Sequence, residues 1–175
     1  MKELYLLRHA KSSWAQLGAK DFDRPLNNRG REAAHAMGGF LKDAHLKPDL
    51  ILCSSARRTR QTLERIKPQL TSSVSTTFRD QLYHAAAETI LATVRAAPDL
   101  SNRLLIIGHN PGMHESACAL VDPKTSDQVA ALLMTEEFPT ACLAQFTFDV
   151  AHWRDVAWGA GALTRFVRPK DLATG

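Results

Sequence analysis

Three short apolar runs in this chain end in residues that could do chemistry. Leu4-Tyr5-Leu6-Leu7 leads straight into Arg8-His9. Leu50-Ile51-Leu52-Cys53 leads into Ser54-Ser55, with Arg57, Arg58 and Arg60 close behind. Leu104-Leu105-Ile106-Ile107 leads into Gly108-His109-Asn110. Each of these polar residues alone has a plain explanation, because most histidines and arginines are simply solvated or satisfied surface groups. Their repetition at the same place in three runs is what matters. Continuous apolar runs of this length read as strands buried on both faces, the pattern of parallel sheets. Ligands of open α/β sheets gather outside the carboxyl ends of such strands. Two imidazoles and at least two guanidiniums are therefore expected at one edge.

Several cations buried together are costly unless an anion completes the site. A phosphoryl dianion fits, since arginine offers paired donors to its oxygens. No Walker sequence is present to cradle phosphate in the P-loop manner, and no paired-carboxylate motif suggests a two-metal clamp. What remains is nucleophilic catalysis at phosphorus. A neutral imidazole nitrogen attacks in line, and the surrounding cations stabilise the equatorial oxygens of a metaphosphate-like transition state. No cofactor and no metal is expected.

The elements that must position these residues follow from periodicity and punctuation. A polar loop of roughly twenty residues, from Lys11 to Asn28, follows the first strand; its length points to function, and Trp14, Phe22 and Pro25 point away from disorder. Asn28 is expected to cap a helix over 29–45, on which Ala33, Ala34, Met37, Phe40 and Leu41 recur at helical spacing. Helices are also expected over 57–70, 86–96 (Ile90, Leu91, Val94), from Gly112 to about Val121, and over 128–134. Further strands are expected near 76–78, 142–149 and 162–167. Alternating strand, loop and helix give an α/β fold, a three-layer sandwich with a mostly parallel central sheet flanked by helices.

The chain of 175 residues is expected to be one domain, residues 1–175. A net charge of +4 favours anionic partners but is too weak to argue for nucleic acid, since no run of about five like charges occurs. Cys53, Cys118 and Cys142 lack Cys-x-x-Cys spacing and read as small buried apolar residues of a reducing compartment. No run is long enough to suggest a membrane span or a signal peptide, so a soluble cytoplasmic protein is the default expectation.

The motifs also carry a family resemblance. Arg8-His9-Ala10 after an N-terminal strand resembles the Arg-His-Gly/Ala signature of the histidine phosphatase superfamily, the phosphoglycerate-mutase-like group. The segment from Ser54 to Thr62 resembles its Ser-x-x-x-Arg-Ala-x-Gln-Thr stretch, with Ser55 where the family often has proline; Gly108-His109-Asn110-Pro111-Gly112 is similar to its second-histidine motif. Asp23-Arg24-Pro25-Leu26 with Arg29-Gly30 looks like the loop of the short bacterial phosphohistidine phosphatase branch. The resemblance implies that His9 is the nucleophile and that Arg8, Arg58 and His109 bind the phosphoryl oxygens. Ser12 follows closely enough to assist at the rim beside Lys11, whereas Arg57 and Arg60 are expected on the surface. Larger members carry a glutamate general acid on an inserted segment. This chain is too short for the usual helical cap; Tyr83, His84 and Glu88 fall near the corresponding region, and Glu88 is the candidate acid. A missing acid would favour phosphohistidine, since imidazole leaves more easily than an alkoxide.

The expectation is thus a metal-independent phosphatase working through a phosphohistidine intermediate, with a phosphorylated protein carrying phosphohistidine as the leading substrate. The alternatives are a phosphomonoesterase acting on a small phosphorylated metabolite and a non-catalytic module that binds a phospho-ligand. No nucleic acid and no membrane is expected as a partner. His35, His45 and His152 are expected on surfaces. His114 and Glu115, just after the second-histidine motif, are near enough to border the pocket, although the dipole of the helix start already accounts for Glu115. Trp153 and Trp158 are expected to pack against the sheet.

Overall fold

A computed structural model describes residues 1–70 and 73–172. Six strands form one sheet: β1 (Lys2–Arg8), β2 (Leu50–Ser54), β3 (Ser75–Arg79), β4 (Arg103–Gly108), β5 (Leu143–Phe148) and β6 (Ala162–Val167). Their order across the sheet is β3-β2-β4-β1-β5-β6. β1, β2, β3 and β4 pair in parallel; β5 runs antiparallel to both β1 and β6. The helices are α1 (Asn28–Asp43), α2 (Arg57–Ile66), α3 (Ala87–Arg95), α4 (Gly112–Leu120), α5 (Gln128–Glu136) and the short α6 (Pro169–Leu172). The arrangement is an α/β sandwich with a mostly parallel central sheet flanked by helices, and none of the described helices is long and apolar enough to cross a membrane.

The central strands are apolar on both faces because both faces are covered. Leu4, Leu6, Leu52, Leu104 and Ile106 point to one side, where they meet Ile90 and Val94 of α3 and Met113 and Ala117 of α4. Tyr5, Leu7, Ile51, Cys53, Leu105 and Ile107 point to the other, against Met37 and Leu41 of α1 and Leu63 and Ile66 of α2. The strict alternation follows from the two-residue period of a strand.

Several element boundaries differ from the sequence expectation for local reasons. Asn27, not Asn28, caps α1: its side chain accepts from the Gly30 N–H at 2.8 Å, the reach of an N-cap oxygen to the third residue along. α2 stops at Ile66, and Lys67–Gln69 tighten into a 3-10 turn around Pro68, which has no N–H to continue the helix. Trp153 is fully buried, as expected, with its indole N–H donating to the Ser101 carbonyl; Trp158 is instead 37% exposed beside α3.

The loop after β1 is ordered by the fold. Ser12 and Leu26 form an antiparallel bridge, the Ser13 N–H donates to the Pro25 carbonyl, and Asp21–Asp23 form a 3-10 turn. On the far side of the same sheet edge, Gly112 begins α4. A Cβ there would lie 1.9 Å from the Ala85 carbonyl oxygen, so the segment before α3 can pack onto the end of β4 only because residue 112 has no side chain. Gly112→Ala should therefore destabilise the fold by about 1–3 kcal/mol through overpacking, read as a lowered denaturant midpoint at unchanged m-value. An unaltered midpoint would mean that this approach is loosely held.

Candidate active site

The centre of the sheet brings two histidines side by side. β1 and β4 pair in parallel with Arg8 opposite Gly108, so His9 and His109 are the next residues on adjacent strands. The His9 N–H donates to the Gly108 carbonyl at 3.1 Å, and the two ring centroids are 5.2 Å apart. Arg58 enters from the first turn of α2, behind the end of β2, and is buried. The Arg58 Nε donates to His9 Nε2 at 3.3 Å. A guanidinium can only donate, so Nε2 must be the nitrogen with the lone pair. The ring proton then sits on Nδ1, which donates to the Ala10 carbonyl at 2.7 Å. Backbone and arginine together fix one tautomer, with the lone pair directed at the cationic side of the site.

The other expected groups lie around this pair. Arg8 Nη1 donates to the Phe138 carbonyl at 3.0 Å, while its Nε is buried with no hydrogen-bond partner among the described residues. His109 Nε2 is 2.8 Å from Ser54 Oγ, and its Nδ1 is likewise buried and unpartnered among them. Asn110 donates from Nδ2 to the Phe138 carbonyl, and its Oδ1 has no partner among the described residues. Buried polar atoms without a protein partner are uncommon, and several in one place offer donors and acceptors to a polar ligand or to water. Arg8, His9, Arg58 and His109 line one cleft of about 440 Å3, together with Lys11, Ser12, Trp14, Asp21, Arg24, His84, Asn110 and Thr140. A groove of about 490 Å3 between β3 and α3 is larger, but leucine, alanine and threonine dominate its lining and it holds no histidine or carboxylate.

Burial dominates the electrostatics of the two rings. It pushes His9 down to about 3, the charges of Arg58, Arg8 and Arg24 acting in the same direction. Burial again leads at His109, with His9 and Arg58 adding to it, and the ring is pushed to about 2. Both imidazoles are neutral near pH 7, the state in which His9 Nε2 can donate its electron pair.

The structure assembles a second group that sequence reasoning did not gather. Asp21, from the loop after β1, accepts from Arg58 Nη2 at 3.0 Å, Arg24 Nη1 at 2.9 Å and the Tyr83 hydroxyl, and its Oδ2 lies 2.9 Å from His84 Nε2. Its backbone carbonyl also accepts from Arg58 Nη1 at 2.7 Å. Burial works against ionisation here, but the hydrogen bonds from Tyr83, His84, Arg24 and Arg58 outweigh it and hold the carboxyl well below the usual range. Arg24 lies over the Trp14 ring at 3.1 Å and donates from Nη2 to Ser12 Oγ. Ser12 thus sits at the rim with its hydroxyl engaged by Arg24. The signals that could have found this group were the loop length, Asp21 three residues before Arg24, and Tyr83-His84 just beyond β3.

Glu88 is the one expected site residue that the fold takes elsewhere. Ala87, Ile90, Leu91 and Val94 occupy the buried face of α3, so position 88 turns to solvent. It lines a separate groove with Leu91, Arg95 and Trp158 and is not among the residues of the histidine cleft. Arg57 and Arg60 are exposed, Arg60 lying over the Phe78 ring. His114 turns away from the cleft toward the Met134 carbonyl, and His152 pairs with Asp99.

Comparison with known proteins agrees with this geometry. Residues 4–84 match the family model of the histidine phosphatase superfamily (branch 1). An uncharacterized protein of Mycobacterium tuberculosis is 34% identical over 164 residues, covering 94% of this chain and 100% of its own. Among solved structures, a protein of Agrobacterium tumefaciens provisionally named phosphohistidine phosphatase SixA is 32% identical; the match covers 96% of this chain and 98% of that one, with a TM-score of 0.80. A likewise provisionally named SixA from Nakamurella is 30% identical, with 96% of each chain covered and a TM-score of 0.83.

The two neutral rings make stability depend on pH. Their folded-state values lie below the unfolded histidine value of about 6.5, so below that pH the unfolded chain binds more protons than the folded one. Stability is then fully present above about 6.5 and lost as the pH falls toward 3. Each ring should cost roughly 1.4 kcal/mol per pH unit over that window. Unfolding midpoints should decline between pH 6.5 and 5, before most carboxylates protonate, and His109→Asn should flatten the slope. A midpoint that stays level over this window contradicts the assignment of two buried neutral rings.

Proposed function

The chain belongs to the histidine phosphatase superfamily, a family of phosphatase hydrolases, in its short SixA-like branch, and on that footing we propose that it hydrolyses protein phosphohistidine through a phosphorylated His9. The observation that carries the reading is the Arg58–His9 contact, with Arg58 Nε 3.3 Å from His9 Nε2. It leaves the nucleophilic lone pair on the nitrogen that faces the guanidinium.

In this reading the phosphoryl group enters the cleft with its oxygens on Arg8, Arg58 and His109. These groups supply donors already in place, so little reorganisation is needed as charge builds in the transition state. His9 Nε2 forms the bond to phosphorus in line with the departing atom. A water then attacks phosphorus from the side that the leaving group has vacated; the P–N bond breaks with its pair returning to His9 Nε2, and phosphate is released. The Ala10 carbonyl holds Nδ1–H throughout, so the ring's orientation and tautomer do not change between the two halves. Among the described residues, no cluster of three or more histidine, cysteine, aspartate or glutamate side chains is placed to hold a metal ion. In this reading the positive charge around the phosphoryl group comes from Arg8 and Arg58.

Two points support a protein substrate. The relatives at 30% identity or above whose names carry an activity are provisionally named for phosphohistidine. The cleft also opens past half-exposed side chains, with Trp14 standing exposed at its edge, so a histidine on a folded partner can reach the floor. A second reading, a phosphomonoesterase for small metabolites, is favoured by the cleft's volume of about 440 Å3, which is within the range of small-ligand pockets. Relative kcat/KM for a phosphohistidine protein and for sugar or nucleotide phosphates separates the two.

Incubation with a radiolabelled phosphodonor should leave acid-labile, alkali-stable label on the wild-type protein. His9→Ala should abolish that label and lower turnover by at least about 10³-fold. Activity should persist in a chelator. Undiminished turnover in His9→Ala, or loss in chelator with recovery on adding a divalent metal, would sink the reading.

A further inference from the structure

The side of the phosphoryl group opposite His9 is where a leaving group must depart, and the structure places a specific pair of residues there. His9 is 7% exposed and forms the floor of the cleft. In-line displacement sends the departing atom away from the floor, toward the opening. His84 and Asp21 stand at that opening, with side chains 49% and 36% exposed. The His84 ring centroid is 5.2 Å from that of His109, which itself is 5.2 Å from His9. His84 is therefore one ring removed from the group expected to hold a phosphoryl oxygen.

Its orientation is built by the fold. The backbone at His84 has φ of 48°, in the left-handed region that most side chains avoid, and persists because the surroundings over-determine it. Tyr83 packs at 4.3 Å against the His84 ring, edge-on to His109 at 5.4 Å and against Phe22 at 5.0 Å. Gly112 lets the 85 carbonyl close onto α4 just behind. Asp21 Oδ2, 2.9 Å from His84 Nε2, is held as a carboxylate by Arg24 and Arg58, so it accepts a proton's hydrogen bond and does not give one. Tyr83, the neighbouring hydroxyl, has its proton raised out of reach by burial and by Asp21. A histidine whose one nitrogen is fixed by a carboxylate, leaving the other to exchange a proton, is the arrangement of an oriented general acid and base.

We propose that His84, oriented by Asp21, is the proton donor to the leaving group and then the proton acceptor from the attacking water. The inference rests on the phosphatase reading above. In the first half, the His9 Nε2 pair forms the N–P bond and the bond from phosphorus to the leaving atom breaks. That atom keeps the pair and takes the proton from His84 Nδ1, which becomes neutral. In the second half, water oxygen bonds to phosphorus, the P–N bond breaks with its pair returning to His9, and the water's proton goes to His84 Nδ1. Phosphate is released and both rings are restored. Asp21 touches no reacting atom; it is a positioning residue.

The test is leaving-group dependence in the full-length protein. p-Nitrophenyl phosphate expels a phenolate that needs little help, whereas phosphoserine expels an alkoxide that needs a proton. Asparagine is the replacement of choice because it tolerates positive φ. His84→Asn should lose about 10²–10⁴-fold in kcat/KM on phosphoserine, and at least about tenfold less on p-nitrophenyl phosphate. Asp21→Asn should show the same bias to a smaller degree. In wild type alone, kcat/KM across substituted phenyl phosphates should vary weakly with leaving-group acidity. A steep wild-type dependence, or equal losses on both esters in His84→Asn, overturns the inference while leaving intact a phosphatase whose activity is lost in His9→Ala. Wild-type protein that turns over neither ester and takes no label on His9 removes the phosphatase reading and this one together.

Discussion

Everything in the cleft depends on the parallel register of β1 against β4. Pairing of Leu7 with Ile107 and of Arg8 with Gly108 makes residues 9 and 109 neighbours at the sheet edge. A slip of one residue would turn every side chain on β1 to the other face, sending Leu4 and Leu6 toward α1 and α2 and separating the two rings. With both faces covered, the slip keeps apolar residues buried but mismatches their shapes against both helix layers, and that fit holds the register. The core therefore specifies the position of the chemistry. The polar groups only refine it.

The second constraint is electrostatic. Two imidazoles stay neutral first because burial disfavours their charged form, and then because charging them would add cations beside guanidiniums. Neutrality is what gives His9 its lone pair. The arginines in turn are not left bare: Arg58 and Arg24 share Asp21, and Arg8 rests on the Phe138 carbonyl. Asp21 thus does two jobs with one carboxylate. It compensates the guanidiniums in the free protein, and it fixes the ring of His84.

The sequence was most legible where the signal was local and repeated. The three apolar runs ending in Arg8-His9, Ser54-Ser55 and Gly108-His109 showed the sheet edge and two histidines and Arg8 on it, because burial on both faces leaves continuous apolar runs; Arg58 was singled out from Arg57 and Arg60 by the family resemblance. Both caps and stops moved by a residue or a few, as at Asn27 and Ile66, since neighbouring asparagines compete for one cap and a 3-10 turn continues a helical pattern. Glu88 was misplaced because its proximity in sequence to His84 says nothing about the face of α3 on which it falls. Tyr83 and His84 were placed near the acid region, but their union with Asp21 was not legible. The members of that group lie 62 and 63 residues apart in the chain, on a loop and a turn without periodicity, and only the close approach at Gly112 and the reach of Arg58 bring them together.

Charge balance then explains why this cleft suits a phosphoryl dianion over a carboxylate or a neutral ligand. Arg8, Arg24 and Arg58 against Asp21 leave a surplus of two positive charges among the less exposed groups of the lining, with Lys11 further out in solvent. A monoanion would leave one guanidinium uncompensated in a partly buried site, and a neutral ligand would leave both. A dianion balances those two charges without protonating either buried ring. It also offers acceptors to donors that have no partner among the described residues, the Arg8 Nε among them. The same arithmetic keeps Asp21 in place when the ligand enters, because removing it would leave three guanidiniums facing a single phosphoryl group.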